Sequence, residues 1–296
     1  MTRLLRTCLA VVVLLLAQGA LANDLREIRE RGVLRHLGVP YANFNTGSGD
    51  GFDVELIQRF ARHLGVRYEY VPSTWPNLLG DLIGKDVEYK PTPHTTASRP
   101  IRGDIVSNGL TVLATRKKLI DYSDPTFPSA VWLVARPESA ATPIKPSGNL
   151  AQDIKATKAA MKLGSTFVMD NMCLDPNLYD LEGKGYALKR FTRSPTVNDI
   201  VPAVMKGEAD MTLLDVPDIM IAVEKWPGQF KIIGPISGPQ DMAAAFRKSS
   251  PELRAAFNSF LADIKQDGTY MKLVKKYYRT APRYLPQFFA GLPGND

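Results

Sequence analysis

The feature that most constrains this chain is an alternation of helix-like and strand-like segments along almost its whole length. Residues 51–65 place apolar side chains at helical spacing, and Gly65 stands where a helix-ending glycine belongs. The next residues, VRYEYV at 66–71, alternate like a strand. This order predicts an α/β fold.

The second half continues the alternation. A helix is predicted over 196–207 (TVNDIVPAVMKG), followed by strands at 209–215 (ADMTLLD) and 230–236 (FKIIGPI). Ser250 can cap a further helix with Pro251 in its first turn, and apolar side chains then recur at helical spacing. The sequence shows no convincing internal repeat.

The first residues predict export from the cytoplasm. Arg3 and Arg6 precede an apolar run over residues 9–16, and Ala20-Leu21-Ala22 offers a cleavage site. The run is short for a bilayer, which needs ~20 residues. We therefore expect a signal peptide over residues 1–22, a mature chain starting near Asn23, and a periplasmic location.

Charge and cysteine content exclude several classes of protein. Without the two signal arginines the formal net charge falls from +7 to +5, and the basic residues are dispersed, so no nucleic-acid partner is predicted. Only Cys173 remains in the mature chain, which excludes an internal disulfide. His36, His63 and His94 lack metal-site spacing, so no metal or other cofactor is expected.

Four motifs, in order along the chain, carry a family resemblance. The strongest is NGLTVLATR at 108–116 with DYSDP at 121–125; the others are GFDVEL at 51–56, GEADMTLLD at 207–215 and the helical run at 250–278. Together they resemble bacterial extracellular solute-binding proteins of family 3, those that serve polar amino-acid ABC transporters.

The resemblance implies an α/β, two-lobed periplasmic binding protein fold of type II, with each lobe a sheet flanked by helices and two hinge crossings. The predicted limits are as follows: lobe 1 at 24–125 plus 243–279, lobe 2 at 131–237, hinges at 126–130 and 238–242, and a C-terminal tail at 280–296 that could dock on the lobes or stay mobile.

A small zwitterion needs a charged donor for its carboxylate, an acid for its ammonium and a shaped wall for its side chain. By resemblance, Arg116 clamps the carboxylate and Asp215 accepts the ammonium. The other ligand-binding residues that the resemblance implies are Asn108, Gly109 and Thr111 in a backbone turn, Trp75, Tyr41 and Phe44 as walls, and Lys162, Ser165 and Thr166 at a strand-to-helix turn of lobe 2. Without the resemblance, Arg116 would be a solvated charge, Asp215 a helix cap and Trp75 ordinary core.

Two departures from the family bear on the ligand. The segment after the first strand, VPYANF at 39–44, lacks an acidic residue, so we expect a neutral or acidic amino acid over a basic one. Residues 84–103 carry three prolines and are predicted to form an exposed, irregular loop. Within it, the segment 85–102 is longer than the family norm by roughly a dozen or more residues.

The predicted function is capture of an amino acid by a monomeric chain and its delivery to a membrane ABC permease, with no catalytic residue. One alternative is a periplasmic enzyme of the cyclohexadienyl dehydratase type, whose acid would follow the glycine of the lobe-2 turn; apolar Val168 stands there and cannot transfer a proton. The other alternative is a ligand sensor that signals to a membrane partner.

Overall fold

The computed structural model describes residues 24–89, 93–193 and 199–295. The predicted signal peptide at 1–22 lies outside these residues, as does Asp296. Within the described part, no helix combines the length and the apolar character that crossing a membrane requires.

Two five-stranded sheets form the framework, with strand orders β2-β1-β5-β12-β6 and β11-β7-β10-β8-β9, and a separate two-stranded sheet pairs β3 with β4. The strands are Val33–Gly38 (β1), Arg67–Pro72 (β2), Lys85–Glu88 (β3), His94–Ser98 (β4), Ile105–Val106 (β5), Ile120–Ser129 (β6), Val131–Ala135 (β7), Ser165–Val168 (β8), Ala187–Arg190 (β9), Met211–Asp215 (β10), Lys231–Pro235 (β11) and Gln240–Arg247 (β12).

Helices cover both sheets. They are Asp24–Arg31 (α1), Phe52–His63 (α2), Leu78–Ile83 (α3), Leu150–Ala160 (α4), Ile200–Met205 (α5), Val216–Lys225 (α6), Pro251–Gln266 (α7), Thr269–Tyr277 (α8), Ala281–Tyr284 (α9) and Pro286–Phe289 (α10). The α/β fold and its two lobes are thereby confirmed. Helix α2 buries the apolar stripe that the sequence predicted, and Gly65 follows it with φ 74°.

Each sheet is mixed, and its parallel strands aim their carboxyl ends at the space between the lobes. In the first sheet β1 pairs in parallel with β2 and β5; in the second, β8 pairs in parallel with β9 and β10. Loops after parallel strands build binding sites because the carboxyl ends meet at one edge. The segments after β1, β5, β8 and β10 are therefore placed to form one.

The chain passes between the sheets twice. Strand β6 ends at Ser129 in the first sheet and β7 begins at Val131 in the second, while residues 236–239 lead from β11 back to β12. Over most of its length β12 pairs with β6, from Gln240 opposite Ser129 to Arg247 opposite Ile120. Both crossings fall at or beside the predicted hinge segments, whose bending stays a prediction.

The predicted irregular loop at 84–103 is wrong in part. Strands β3 and β4 pair as an antiparallel hairpin, with Glu88 opposite His94. Arg99 anchors its base through a 2.6 Å ion pair with Asp81, whose side chain is fully buried. The Thr and Ser residues that indicated a loop fit an exposed strand equally well, because strands tolerate polar side chains on a solvated face.

The C-terminal tail docks on the molecule up to residue 295. Phe289 is fully buried and packs against Phe127 of β6, with ring centroids 5.9 Å apart. Leu285 lies near Ile219 of α6, across a cavity of about 170 Å³. The tail thus contacts the strand that leads into lobe 2 and lines a cavity together with a helix of lobe 2.

Candidate functional site

An inner cavity lies where the two lobes meet, and five of the eleven predicted ligand-binding residues line it. Its volume is about 10 Å³, and it is lined by Tyr41, Trp75, Gly109, Leu110, Thr111 and Arg116 from lobe 1 and by Met172 and Cys173 from lobe 2. That space holds about one water molecule. The lobes are therefore closed on each other here, and no amino acid fits inside this inner cavity without rearrangement.

The turn after β5 contributes Gly109, Leu110 and Thr111 to the lining of this cavity. Gly109 has φ 55° and lies so close to Phe44 that an added Cβ would meet its ring at 2.5 Å. The backbone N–H of Gly109 donates to the buried carboxylate of Asp53 at 2.6 Å. Asn108 Oδ1 accepts from the backbone N–H of Val39 at 2.9 Å. Gly109 is thus required by geometry.

Phe44 and Asn108 lie behind the cavity rather than on its surface. Both are fully buried, and neither lines the space that Arg116 faces. Phe44 packs its ring against Tyr41 and Tyr278, with centroids 5.8 and 4.8 Å away. The structure gives both residues a supporting position: Phe44 holds the ring of Tyr41, and Asn108 ties the turn to the end of β1.

Arg116 is a buried charge that forms no ion pair within the part of the chain that the structure describes. Only 6% of its surface is exposed, and its Nη1 donates to the backbone carbonyl of Thr111 at 3.1 Å. No carboxylate of the described residues forms an ion pair with it, whereas Arg35 pairs with Asp104 at 2.9 Å. Taking a guanidinium out of water costs several kcal/mol unless an anion compensates. The position is thus suited to an anion that arrives from outside.

Asp215 ends β10 and is fully buried among donors. It accepts from Ser129 Oγ at 3.2 Å and from Cys173 Sγ at 2.8 Å. Tyr41 donates to Asp218 at 2.9 Å and lies 3.4 Å from Asp215. Asp215 precedes α6 at its N-cap position but makes no side-chain cap, so the simple capping interpretation fails.

Burial has the largest effect on the pKa values of Asp215, Asp218 and Cys173. Desolvation raises the pKa of Asp215, although the charge of Arg116 and the surrounding donors oppose it. Desolvation and the charge of Asp215 raise the pKa of Asp218 well above its ordinary value. The same two causes raise the pKa of the Cys173 thiol, so Cys173 acts as a donor and not as a thiolate.

The predicted strand-to-helix turn at 164–166 is wrong. A short 3-10 helix, Met161–Leu163, ends there, and Ser165 and Thr166 open strand β8. They therefore lie toward the amino end of a parallel strand, opposite to the edge where the carboxyl ends meet. Ser165 binds Asp210 through its backbone N–H and its hydroxyl, both at 2.9 Å.

The other two residues of that prediction are also held away from the inner cavity. Thr166 is buried in β8, paired with Met211 of β10 and Leu188 of β9. Lys162 lies beside Lys155 and Lys158 at the outer face of α4. The structure brings none of Lys162, Ser165 and Thr166 to Arg116.

The turn that does face the cleft follows β8, over residues 169–175, and was not predicted from the sequence. It carries Met172 and Cys173 into the inner cavity. A usable signal was present, because an apolar run at 167–169 gives way to Asp170, Asn171 and Asp175, which are typical of a loop after a strand.

An outer chamber of about 840 Å³ adjoins the inner cavity and shares Arg116 and Met172 with it. It is lined by Tyr89 and Pro93 of the β3–β4 hairpin, by Leu113, Thr115 and Arg116, and by Asp170, Asn171, Met172, Asp175, Asn177, Leu178, Glu182 and Arg190 of lobe 2. Its size falls within the ~300–1,000 Å³ of small-molecule sites.

Val168 does not stand where a catalytic acid would be. It is fully buried inside β8, so the argument from its apolar side chain is wrong. The carboxylates near the cleft belong to the following turn, and each has partners: Asp170 pairs with Arg190 at 3.2 Å, and Asp175 accepts from the backbone of Asn171 at 2.8 Å and of Asn177 at 2.9 Å. Both carboxylates are thus held by structural hydrogen bonds. Among the described residues, no group of His, Cys, Asp and Glu could hold a metal ion.

Comparisons with known proteins agree with this geometry. A family model for bacterial extracellular solute-binding proteins, family 3, matches residues 38–280. The L-cystine-binding protein TcyJ of Escherichia coli (strain K12) is 27% identical over 86% of this chain and 85% of its own. The arginine-binding extracellular protein ArtP of Bacillus subtilis (strain 168) is 25% identical over 87% of this chain and 90% of its own.

The fold has counterparts among solved structures. A mutant of ArgBP from T. maritima superposes with a TM-score of 0.67 at 24% identity, covering 86% of this chain and 99% of its own. At that identity the likeness concerns the fold alone. It is a two-lobed α/β architecture of the periplasmic-binding type.

Proposed function

The chain belongs to the bacterial extracellular solute-binding proteins of family 3, and on that premise we propose that its solute is an α-amino acid, captured between the lobes by hinge closure. Arg116 holds the carboxylate of this ligand, and Asp215 receives its ammonium group. The chain acts in the periplasm as a monomer that delivers the amino acid to a membrane ABC permease, without chemical change.

The observation that carries this proposal is that Arg116 is buried and forms no ion pair with a carboxylate of the described residues. Arg116 is 6% exposed and has no carboxylate partner in the described structure, so its guanidinium can bind an anion in the cleft. A ligand carboxylate would accept charge-assisted, bidentate hydrogen bonds from it, the strongest that Arg can make. Thr111 and Tyr122 fix the guanidinium from the lobe-1 side.

For the ligand ammonium to bind Asp215, a donor that contacts this carboxylate in the closed structure must move away. In this structure Cys173 Sγ donates to Asp215 Oδ2 at 2.8 Å, and the adjacent inner cavity has a volume of about 10 Å³. We propose that opening of the lobes withdraws residues 169–175 and that the ammonium replaces the thiol. The exchange favours the ligand, because an ammonium forms a stronger hydrogen bond to a carboxylate than a thiol does.

A thermal-shift screen of the mature chain against all common amino acids and organic acids tests the proposal. A ligand that binds only the folded state raises the midpoint of unfolding by mass action. We expect at least one α-amino acid to raise the midpoint, and its N-acetyl and amide derivatives to be inactive. Hits confined to molecules without an ammonium group would remove the role of Asp215. Absence of any amino-acid hit would contradict the proposed ligand class.

Catalysis of the dehydratase type is tested in the same preparation. We expect no conversion of prephenate or arogenate to an aromatic product. Turnover by pure protein would contradict the proposal that this chain only binds.

A further inference from the structure

A second buried acid lies beside Asp215 and is not needed to hold an ammonium group. Asp218 belongs to the first turn of α6, three residues after Asp215, and is 8% exposed. Within the part of the chain that the structure describes, no Lys, Arg or His forms an ion pair with either carboxylate. Two ionised carboxylates here would each carry a desolvation penalty without a cation to offset it.

The hydroxyl of Tyr41 lies between the two carboxylates. Its oxygen is 2.9 Å from Asp218 Oδ2 and 3.4 Å from Asp215 Oδ2. Burial and the charges of both acids raise the pKa of Tyr41 well above its ordinary value, so Tyr41 stays a phenol. A phenol has one proton to donate and can serve only one of the two acids at a time. Like charges this close disfavour double ionisation, so the two acids hold a further proton between them.

The surroundings of the two acids place this proton on Asp218. The ionised form of Asp215 is stabilised by the hydroxyl and thiol donors described above and by the charge of Arg116. Among the described residues, Tyr41 is the donor that contacts Asp218. Desolvation is the largest cause of the raised pKa of Asp218, and the charge of Asp215 adds to it.

The groups that face Asp218 from other elements bring no positive charge to it. They are acids or neutral donors: Tyr41 after β1, Cys173 in the turn after β8, Asp215 at the end of β10 and Tyr278 after α8. On its own helix, Asp218 lines a cavity of about 200 Å³ together with Lys225. The Lys225 ammonium lies over the ring of Trp226, 4.7 Å from its centroid, and forms no ion pair with Asp218. This cavity gives the proton a path to solvent.

The burial of Asp218 depends on both lobes. Tyr41 and Tyr278 come from the lobe-1 segments, whereas Asp218 belongs to lobe 2. Opening of the lobes, as proposed above, takes both rings away from Asp218 and admits water. The pKa of a carboxyl group falls toward its ordinary value as water returns. The closed chain therefore holds the proton more tightly than the open chain.

We propose that Asp218 is a specificity-determining residue, which takes up a proton when the lobes close and leaves Asp215 as the carboxylate that meets the ligand ammonium. The proton comes from solvent and adds to a carboxylate oxygen of Asp218; no other covalent bond forms or breaks. The closed site then offers one negative charge to the single α-ammonium group. This inference rests on the proposed function, because it assigns that ammonium to Asp215. Capture of an amino acid is thereby coupled to uptake of a proton.

Calorimetry on the mature chain tests the coupling. The probe is the common α-amino acid that raises the midpoint of thermal unfolding most. Titrations in buffers of different ionisation enthalpy should show uptake of a proton, at most about one for each amino acid bound. We expect the affinity to fall as pH rises between about pH 5 and pH 8, by up to about tenfold per pH unit. Absence of proton uptake throughout this range would overturn the inference.

Three variants separate proton uptake from structural support. Asp218→Asn keeps the shape of the protonated acid and cannot ionise, so at about pH 8 it should bind the probe more tightly than the parent, without proton uptake. Tyr41→Phe removes a donor that favours ionised Asp218, so the fall in affinity should move to higher pH. Glu224→Gln is the matched control and should behave like the parent, because it removes an exposed acid from the same helix. Weaker binding by Asp218→Asn at every pH, or uptake equal to that of the parent, would overturn the inference.

The inference and the proposed function can fail separately. If an amino acid binds and parent and Asp218→Asn show the same pH dependence of affinity, the role of Asp218 is wrong and amino-acid capture stands. If no amino acid binds, the proposed ligand class fails, and urea unfolding of the ligand-free chain decides on Asp218. Because the folded chain retains a proton that the unfolded chain loses at lower pH, the parent should lose more stability than Asp218→Asn as pH rises. An equal loss in both proteins would then overturn the inference.

Discussion

Replacing Arg116 by methionine separates ligand capture from folding. Methionine keeps an unbranched side chain of similar length and removes the charge. In the folded, ligand-free chain the guanidinium has one backbone acceptor, Thr111 O at 3.1 Å, and no carboxylate partner among the described residues. The side chain therefore contributes little to stability.

The expected change in the free energy of unfolding follows from two opposing effects. Loss of a hydrogen bond from a charged donor costs about 1.5–3 kcal/mol. Removal of a buried, uncompensated charge recovers a desolvation penalty of several kcal/mol. We therefore expect the free energy of unfolding of ligand-free Arg116→Met to stay within about 1 kcal/mol of the parent or to rise. Ligand binding should weaken by about 2–5 kcal/mol, or about 30-fold to several thousand-fold.

The assay combines urea unfolding without ligand and calorimetric titration with the best amino acid from the screen. Arg35→Met is the matched control, because Arg35 pairs with Asp104, whose side chain is 1% exposed. That variant should lose about 1–3 kcal/mol of unfolding free energy and keep its affinity.

The opposite pattern would refute the reasoning. If Arg116→Met binds the ligand like the parent, the carboxylate is held elsewhere. If it loses stability as Arg35→Met does and retains affinity, Arg116 is a structural residue and its lack of an ionic partner has no functional meaning.

Three further predictions follow from buried groups. Cys173→Ala removes the thiol that donates to Asp215, so calorimetry should show that the amino acid binds up to about tenfold more tightly. Unchanged or weaker binding of the amino acid would contradict displacement of the thiol. Burial raises the pKa of Asp53 from 3.8 to about 6. Between these two pKa values the folded chain binds a proton that the unfolded chain has lost, so the stability due to Asp53 is lost as pH rises from about 4 through about 6. Over this range, the free energy of unfolding in urea should fall by about 3 kcal/mol more in the parent than in Asp53→Asn. An equal pH dependence in both proteins would contradict this prediction. Phe289→Ala should lower the free energy of unfolding by about 3–5 kcal/mol, measured by thermal unfolding, because the ring is fully buried. Tyr284→Ala, at a residue that is 57% exposed, should change it little. Similar losses in both variants would show that Phe289 does not hold the docked tail.

The architecture was predictable because periodicity and motif order both depend on local sequence. The helix that follows Ser250 runs over Pro251–Gln266 as expected, although Ser250 supplies no side-chain cap. Arg116 and Gly109 line the same inner cavity because a single loop fixes their spacing within one motif; their contact with a ligand stays a prediction.

The second half of the site was not predictable in the same way. Its position depends on which residues of 161–175 form β8, and the stretch GSTFV fits either a strand or a turn before a helix. The structure places Ser165–Val168 in the strand, which moves the cleft-facing turn to 169–175. The charged wall of the chamber was missed because Asp170, Glu182 and Arg190 are brought together only by the pairing of β8 with β9.

Equilibrium dialysis of the mature chain with its best amino acid, followed by mass analysis of the released solute, tests the central claim most directly. We predict saturation at one ligand per chain and recovery of the ligand with its mass unchanged. A solute that returns chemically altered, or binding that does not saturate at one site, would contradict capture by a single cleft between the lobes.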